Sequence, residues 1–377
     1  MTADARDPEA SARAAHLQPK LVAAARDGFL PFERFAEIAL YDPEDGYYAR
    51  APSPFGAEGD YYTAAGVHPL FGRTLARRLL AVLERLGGDG PVDVVEAGPG
   101  DGRLAATILP ELHDLACRRP VRYAFLEGTS ERAAETISRL APVSRSVGIP
   151  VRPIESVGAL GPFRGVVVAN EFLDALPVRR LQRTASGWAE LGLRYSGGRW
   201  TEIVGPPAAH VPGAPLPGSA EPGTVLEVAP AAEGFVREIA DHLVGGAAIL
   251  IDYAMGEGEL VAAHPRGTLA GVRDHRAVND PFDAPGSVDL STFVNLDRIR
   301  AAARSAGLSE IAVRSQAEAL GAWGFPELFD RALRATGSSE DEVRLRLAAK
   351  NLLFGFDRFR VLELGPAAAR PSSAAVT

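Results

Sequence analysis

Apolar and polar positions along the chain fall into short units that switch between a helical period and runs of consecutive apolar residues. Residues 18 to 40 carry Leu21, Ala24, Leu30, Phe35, Ile38 and Leu40 at helical spacing around Pro31, which predicts two short helices meeting at the proline. A further helix is predicted from Leu70 to Leu86. Beyond it, apolar runs at Val92 to Val95, Tyr123 to Leu126, Val151 to Ile154 and Gly165 to Ala169 read as strands, with a helical segment at 131 to 140 among them. Strands alternating with helices in this way predict an α/β domain built on a parallel sheet.

Residues 182 to 224 break the alternation. Trp188, Glu190 and Trp200 stand in polar, Gly/Pro-rich sequence, which predicts an inserted β-hairpin followed by a mobile loop from Gly205 to Gly223. The sheet is then expected to resume with a strand at Val225 to Val228, a helix from Ala231 to Leu243 and the strand AAILIDYA ending at Asp252. Residues 267 to 296 form a long polar stretch, and a loop of that length in a compact domain is usually a lid or a binding segment. A helix from Leu296 to Ala306, a strand at Glu310 to Arg314, a helical region near 327 to 350 and a last strand at Phe359 to Leu364 complete the pattern. The expected organisation is a loose leader (1–16), an N-terminal cap (17–88), the main domain (89–365, with the insertion at 182–224) and a disordered tail (366–377).

Composition narrows the classes of function. With 377 residues and 46% hydrophobic content the chain is globular and can bury a large core. A formal net charge of −8 leaves no overall basic footprint for nucleic acid. The single cysteine, Cys117, rules out an internal disulfide framework and a cysteine-rich zinc site, and no metal is expected. No apolar run approaches the roughly 20 residues that cross a bilayer. The first 16 residues carry Asp4, Asp7 and Glu9 and have neither an apolar core nor a basic character, so a soluble cytoplasmic protein is expected.

The chemistry concentrates in VVEAGPGDGRLAATIL, Val94 to Leu109. An apolar strand ends at Glu96 and passes through Gly98, Gly100 and Gly102 into an amphipathic helix. Glycine is needed where φ is positive or where a ligand approaches the backbone, and a helix start offers unpaired N–H groups. A dinucleotide turn would read G-x-G-x-x-G, but Arg103 stands where that pattern continues and the spacing is G-x-G-x-G. With Glu96 just ahead, the pattern suits S-adenosylmethionine, which needs no phosphate cradle and whose cationic amino-acid end can meet a carboxylate. Glu127 closes the next apolar run, where this fold places the acid that accepts ribose hydroxyls. The strand GVVVA runs into NEFLDALPVRRL, so Asn170, Glu171 and Asp174 are expected to face the same crevice. The five tyrosines from Tyr41 to Tyr62 read either as a packed surface loop or as a flap over the ligand. Asp252 reads as structural or as lining the crevice.

VVEAGPGDGRLAATIL, ANEFLDALPVRRL, GWAEL, LEVAPAA, ILIDYA and GTLAGVRDH…DLSTFVNL, in this order and spacing, resemble the MidA family of S-adenosylmethionine-dependent methyltransferases over roughly residues 20 to 365. The resemblance implies a Rossmann-like, seven-stranded methyltransferase fold with an added N-terminal cap and, since the family's mitochondrial member methylates a protein arginine, a protein acceptor. A guanidinium has a pKa above about 12 and a delocalised lone pair, so carboxylates in a fork would have to orient it and take its proton. Glu171 and Asp174 are the candidates, with His275 in the long loop as a further proton acceptor. The chain departs from the family pattern at Gly66, where an acid is usual, and at Asp101 and Arg103, where Arg and Thr are usual. A small-molecule acceptor and a non-catalytic binding role remain alternatives, and a homodimer is compatible with the sequence.

Overall fold

The computed structural model describes residues 8–49, 63–208, 211, 213–274 and 276–367. Its centre is a twisted sheet whose strands are β1 (Val92–Ala97), β2 (Val121–Leu126), β3 (Val151–Ile154), β4 (Phe163–Asn170), β5 (Leu243–Met255), β6 (Leu308–Ser315) and β7 (Phe359–Pro366), in the order β6-β7-β5-β4-β1-β2-β3. Strands β1 to β5 are parallel, and β7 runs antiparallel to β5 and β6. A two-residue strand, Val294–Asn295, adds an eighth member beside the end of β5. All six residues of β1 are buried, as expected of a parallel strand covered on both faces. The chain leaves β1 in one direction through β2 and β3 and returns for β4 on the other side, so the point where a ligand crevice should open lies between β1 and β4.

One face of the sheet is covered by α4 (Leu70–Arg85) and α5 (Arg103–Glu111), by Ser130–Val147, and by three helices of the C-terminal third, Gln316–Ala322, Phe325–Arg334 and Ser339–Phe354. The region read from sequence as helical near 327 to 350 is therefore two helices, and the one before them had no separate signal. Pro230–His242 and Leu296–Ser305 cover the opposite face.

A second lobe stands on the carboxyl edge. Arg179–Thr184, Gly187–Ser196, Arg199–Pro207, Val225–Val228 and Leu30–Pro31 form an antiparallel sheet. Helices α1 (Pro8–Ala24) and α2 (Phe32–Tyr41) pack on it through Leu17, Leu21, Phe32 and Phe35. Pro31 separates the two helices as predicted, and it does so inside a short strand paired with Gly192. Three expectations change. Val225–Val228 does not resume the central sheet but pairs with Arg179–Thr184, because a short apolar run carries no information about which sheet it joins. Helix α1 starts at Pro8, inside the stretch expected to be a loose leader, and its Ala10 is buried. The described part of the Pro-rich loop is tied down: Arg298 donates to the Ala214 carbonyl at 2.7 Å and Trp188 to that of Pro217 at 3.3 Å. The long segment 267–296 contains a small antiparallel sheet of Ala270–Arg273, Arg276–Ala277 and Asp289–Ser291. Among the described residues no helix is long and apolar enough to cross a membrane.

Candidate active site

Strand register aligns the candidate residues. Ala97 lies level with Leu126 and with Ala169, and Asn170 lies level with Ile251. Gly98, Glu127, Asn170 and Asp252 therefore emerge together at the carboxyl edge. The three glycines have φ of 66°, 56° and 74°, the left-handed region that favours glycine. A Cβ at position 98 would lie 2.8 Å from Cδ2 of Phe172, so this bend must pass bare beneath that ring. Gly102 begins α5 against Leu140 and does not line the crevice.

The crevice has two adjoining compartments that share Thr63, Gly98, Gly100 and Glu171 as walls. The smaller, about 70 Å³, is bounded by Glu96, Asp101, Arg103 and Asn170. Glu96 is 2% exposed and accepts a hydrogen bond from the Tyr123 hydroxyl at 2.7 Å; burial pushes its pKa up to about 7. Asn170 donates to Glu171 Oε1 at 3.1 Å, while its own Oδ1 is buried without a partner. The departures from the family pattern are neighbours here: Asp101 pairs with Arg103 at 3.0 Å, and a Cβ at Gly66 would lie 3.6 Å from Arg103 Nη1.

The larger compartment, about 520 Å³, holds Glu127, Glu171, Asp174 and Asp289 on its walls. Glu127 accepts from the Gly128 N–H at 2.8 Å and from Arg132 Nε at 3.0 Å. Arg132 also donates to the Tyr48 carbonyl at 3.0 Å, linking this acid to the N-terminal segment. Glu171 sits at φ 53°, a strained conformation for a residue with a side chain. No helix follows it. Its Oε1 instead accepts from the Ala64 N–H at 2.9 Å, at the start of α3 (Ala64–Val67), and burial pushes its pKa up to about 8.

The turn after Glu171 is organised by Asp252, 3% exposed, whose Oδ2 accepts from the N–H groups of Phe172, Leu173 and Asp174 at 3.2, 2.9 and 3.3 Å. The Asp174 and Asp252 side chains are hydrogen-bonded to each other, and burial raises the pKa of both; two carboxyls in contact in a buried place hold one proton between them. Asp289 is 2% exposed and accepts from the Tyr48 hydroxyl at 3.0 Å, while Tyr41 donates to the Ala175 carbonyl at 2.8 Å. Tyr41 and Tyr48 thus line the cavity; Tyr61 and Tyr62 lie outside the described residues, and so does His275.

Sequence reasoning missed Arg132, Asp289 and Thr63. None carries a local signal, since each reaches the crevice only through tertiary contacts. Asp252 was legible as a strand-end acid but not as the anchor of the neighbouring turn. A further acidic group, Asp42 with Glu44 and Asp45, has the spacing of a cation site, and the Lys20 ammonium binds it at 2.8 and 3.4 Å.

The donor set fits S-adenosylmethionine: a glycine bend that a Cβ would obstruct, an orphaned amide oxygen at Asn170, and carboxylates in both compartments with Arg132 as the only basic residue among the described ones on the larger one's wall. Residues 74–313 match a family model described as "putative S-adenosyl-L-methionine-dependent methyltransferase". Among curated proteins, a mitochondrial protein arginine methyltransferase of Xenopus tropicalis is 25% identical over 306 residues, covering 72% of this chain and 67% of its own length. Its Drosophila melanogaster homologue is 26% identical over 310 residues, covering 74% and 68%. A crystal structure from Burkholderia thailandensis, bound to S-adenosyl-homocysteine, superposes with a TM-score of 0.85 at 31% identity over 97% of this chain and 95% of that one. The cytoplasmic location expected from sequence is overturned by the curated relatives, which are named as mitochondrial. An acidic N-terminal stretch argues against a basic presequence within those residues and carries no information about compartment.

Proposed function

The chain belongs to this family of S-adenosyl-L-methionine-dependent methyltransferases, and we propose that its acceptor is an arginine side chain presented by a protein. The observation that carries the reading is the clustering of Glu171, Asp174 and Asp289 around the larger compartment, a surplus of carboxylates suited to a delocalised cation. The names of the curated relatives support it. We assign the main domain expected at 89–365 to catalysis, together with α4, which packs on its sheet, and residues 17–49 of the expected cap to covering the crevice.

In this reading Glu96 meets the ammonium of the cofactor, the bend at Gly98 and Gly100 with Asn170 borders its amino-acid part, and Glu127 takes the ribose hydroxyls. Bound there, S-adenosyl-L-methionine supplies an electrophilic methyl group. The protein's part is to align the acceptor, exclude water and remove one proton. Glu171 and Asp174 orient the guanidinium edge-on and draw its charge away from the attacking nitrogen. Burial keeps Glu171 protonated near neutral pH; an arriving cation favours its ionised form. The Asp174–Asp252 pair, carrying one negative charge, takes the proton that leaves nitrogen.

The test is incubation of the protein with isotopically labelled S-adenosyl-L-methionine and candidate protein acceptors, read by mass spectrometry. Labelled methylarginine is the expected product. Label found only in small metabolites, or no turnover at all, would overturn the assignment of the acceptor.

A further inference from the structure

Glu227, 6% exposed on the second sheet, takes no part in the chemistry above. Its carboxylate nevertheless reaches the wall of the larger compartment through Thr268. Glu227 accepts from the Thr268 N–H at 3.1 and 3.2 Å and from the Thr268 hydroxyl at 3.4 Å, and Arg180 Nε donates to it at 3.2 Å. The close approach requires Gly267: φ there is 84°, and a Cβ would lie 2.3 Å from Glu227 Oε1. Thr268 Oγ1 in turn accepts from the Phe293 N–H at 2.9 Å. An ionised carboxylate only accepts, so it obliges the threonine proton to point toward Glu227 and leaves a lone pair for Phe293. The Phe293 ring stacks on Tyr253, with centroids 5.7 Å apart and planes at 26°. Thr268, Phe293 and Tyr253 all line the cavity that Glu171 and Asp174 enter.

We propose that Glu227 is a positioning residue for the acceptor: acting through Thr268, it holds Phe293 and Tyr253 as the aromatic wall against which a planar, delocalised cation lies. The inference rests on the arginine reading and deepens it. Aromatic rings attract cations, and a guanidinium adds planar stacking that an ammonium lacks. The chain contains one example of the contact, since the exposed Arg358 guanidinium carbon lies 6.0 Å from the Phe293 centroid. The wall thus selects arginine over lysine, while the carboxylates alone would attract either.

The experiment uses the full chain saturated with S-adenosyl-homocysteine, titrated calorimetrically with acetyl-Gly-Arg-Gly-amide and with acetyl-Gly-Lys-Gly-amide. The native protein is expected to bind the arginine peptide about tenfold more tightly than the lysine peptide. Thr268→Val removes the hydroxyl relay; it should erase most of that preference and leave S-adenosyl-homocysteine affinity unchanged, and Thr268→Ser should restore the preference. Glu227→Gln, whose amide can donate to the threonine and reverse the relay, should behave as Thr268→Val does. Because Glu227→Gln also weakens the pairing with Arg180, the Thr268 variants decide the matter if it fails to fold. An unchanged arginine preference in Thr268→Val overturns this inference alone. An equal loss of S-adenosyl-homocysteine affinity also overturns it, by revealing a general loosening of the crevice. Failure of the native protein to bind the arginine peptide overturns the arginine reading and this inference with it.

Discussion

The cofactor end of the crevice draws on neighbours in sequence, whereas the acceptor end is assembled from remote ones. Glu96 through Gly100 form a single bend, and Glu127 follows on the adjacent strand in parallel register. At the acceptor end Tyr48 meets Asp289 across 241 positions, and Ala64 meets Glu171 across 107. A bend can hold its shape through backbone preference alone; a wall made of distant segments depends on the packing of the whole lobe. Variants at the two ends should therefore separate cofactor affinity from turnover.

The sharpest separation is expected from Glu171→Gln. It keeps an acceptor for the Ala64 N–H but removes the charge, so kcat should fall about a hundredfold or more while S-adenosyl-homocysteine affinity stays within about threefold. Joint loss of both would break the division between the ends. Next in size is Gly98→Ala. The new Cβ meets Phe172 at 2.8 Å and the backbone is strained, so cofactor affinity should drop roughly tenfold by calorimetry. Gly102→Ala is its control: φ is similar, but the nearest atoms stand at 3.6 Å, so thermal stability should fall by about 1 kcal/mol with affinity retained.

The smallest effect concerns protons. A cationic amino-acid end beside Glu96 favours its ionised form, whereas burial pushes its pKa up to about 7. Below that pH a proton must leave before the ligand binds, so S-adenosyl-homocysteine affinity should rise by somewhat less than about tenfold from pH 6 to pH 8. Glu96→Gln should flatten the dependence. A native affinity that does not change with pH would remove Glu96 from the ligand's charged end.

This contrast also explains what could be read from sequence. The glycine bend, Glu127 and the strand leading to Glu171 were visible because hydrophobic period and turn chemistry are local properties. The turn after Glu171 could not be read in this way, because Asp252, 78 to 80 positions away, accepts its three successive N–H groups. Val225–Val228 was legible as a strand, but its partner was not, since strand pairing is decided by tertiary context. Arg132, Asp289, Thr268 and Glu227 could not be singled out, because each acquires its place only when the second lobe closes on the carboxyl edge.

The left-handed backbone at Glu171 has a practical corollary for protein engineering. Holding a glutamate there costs on the order of 1 kcal/mol, which asparagine or glycine at the same position would relieve. A screen that rewards heat tolerance alone would drift toward those replacements and enrich well-folded molecules that no longer turn over.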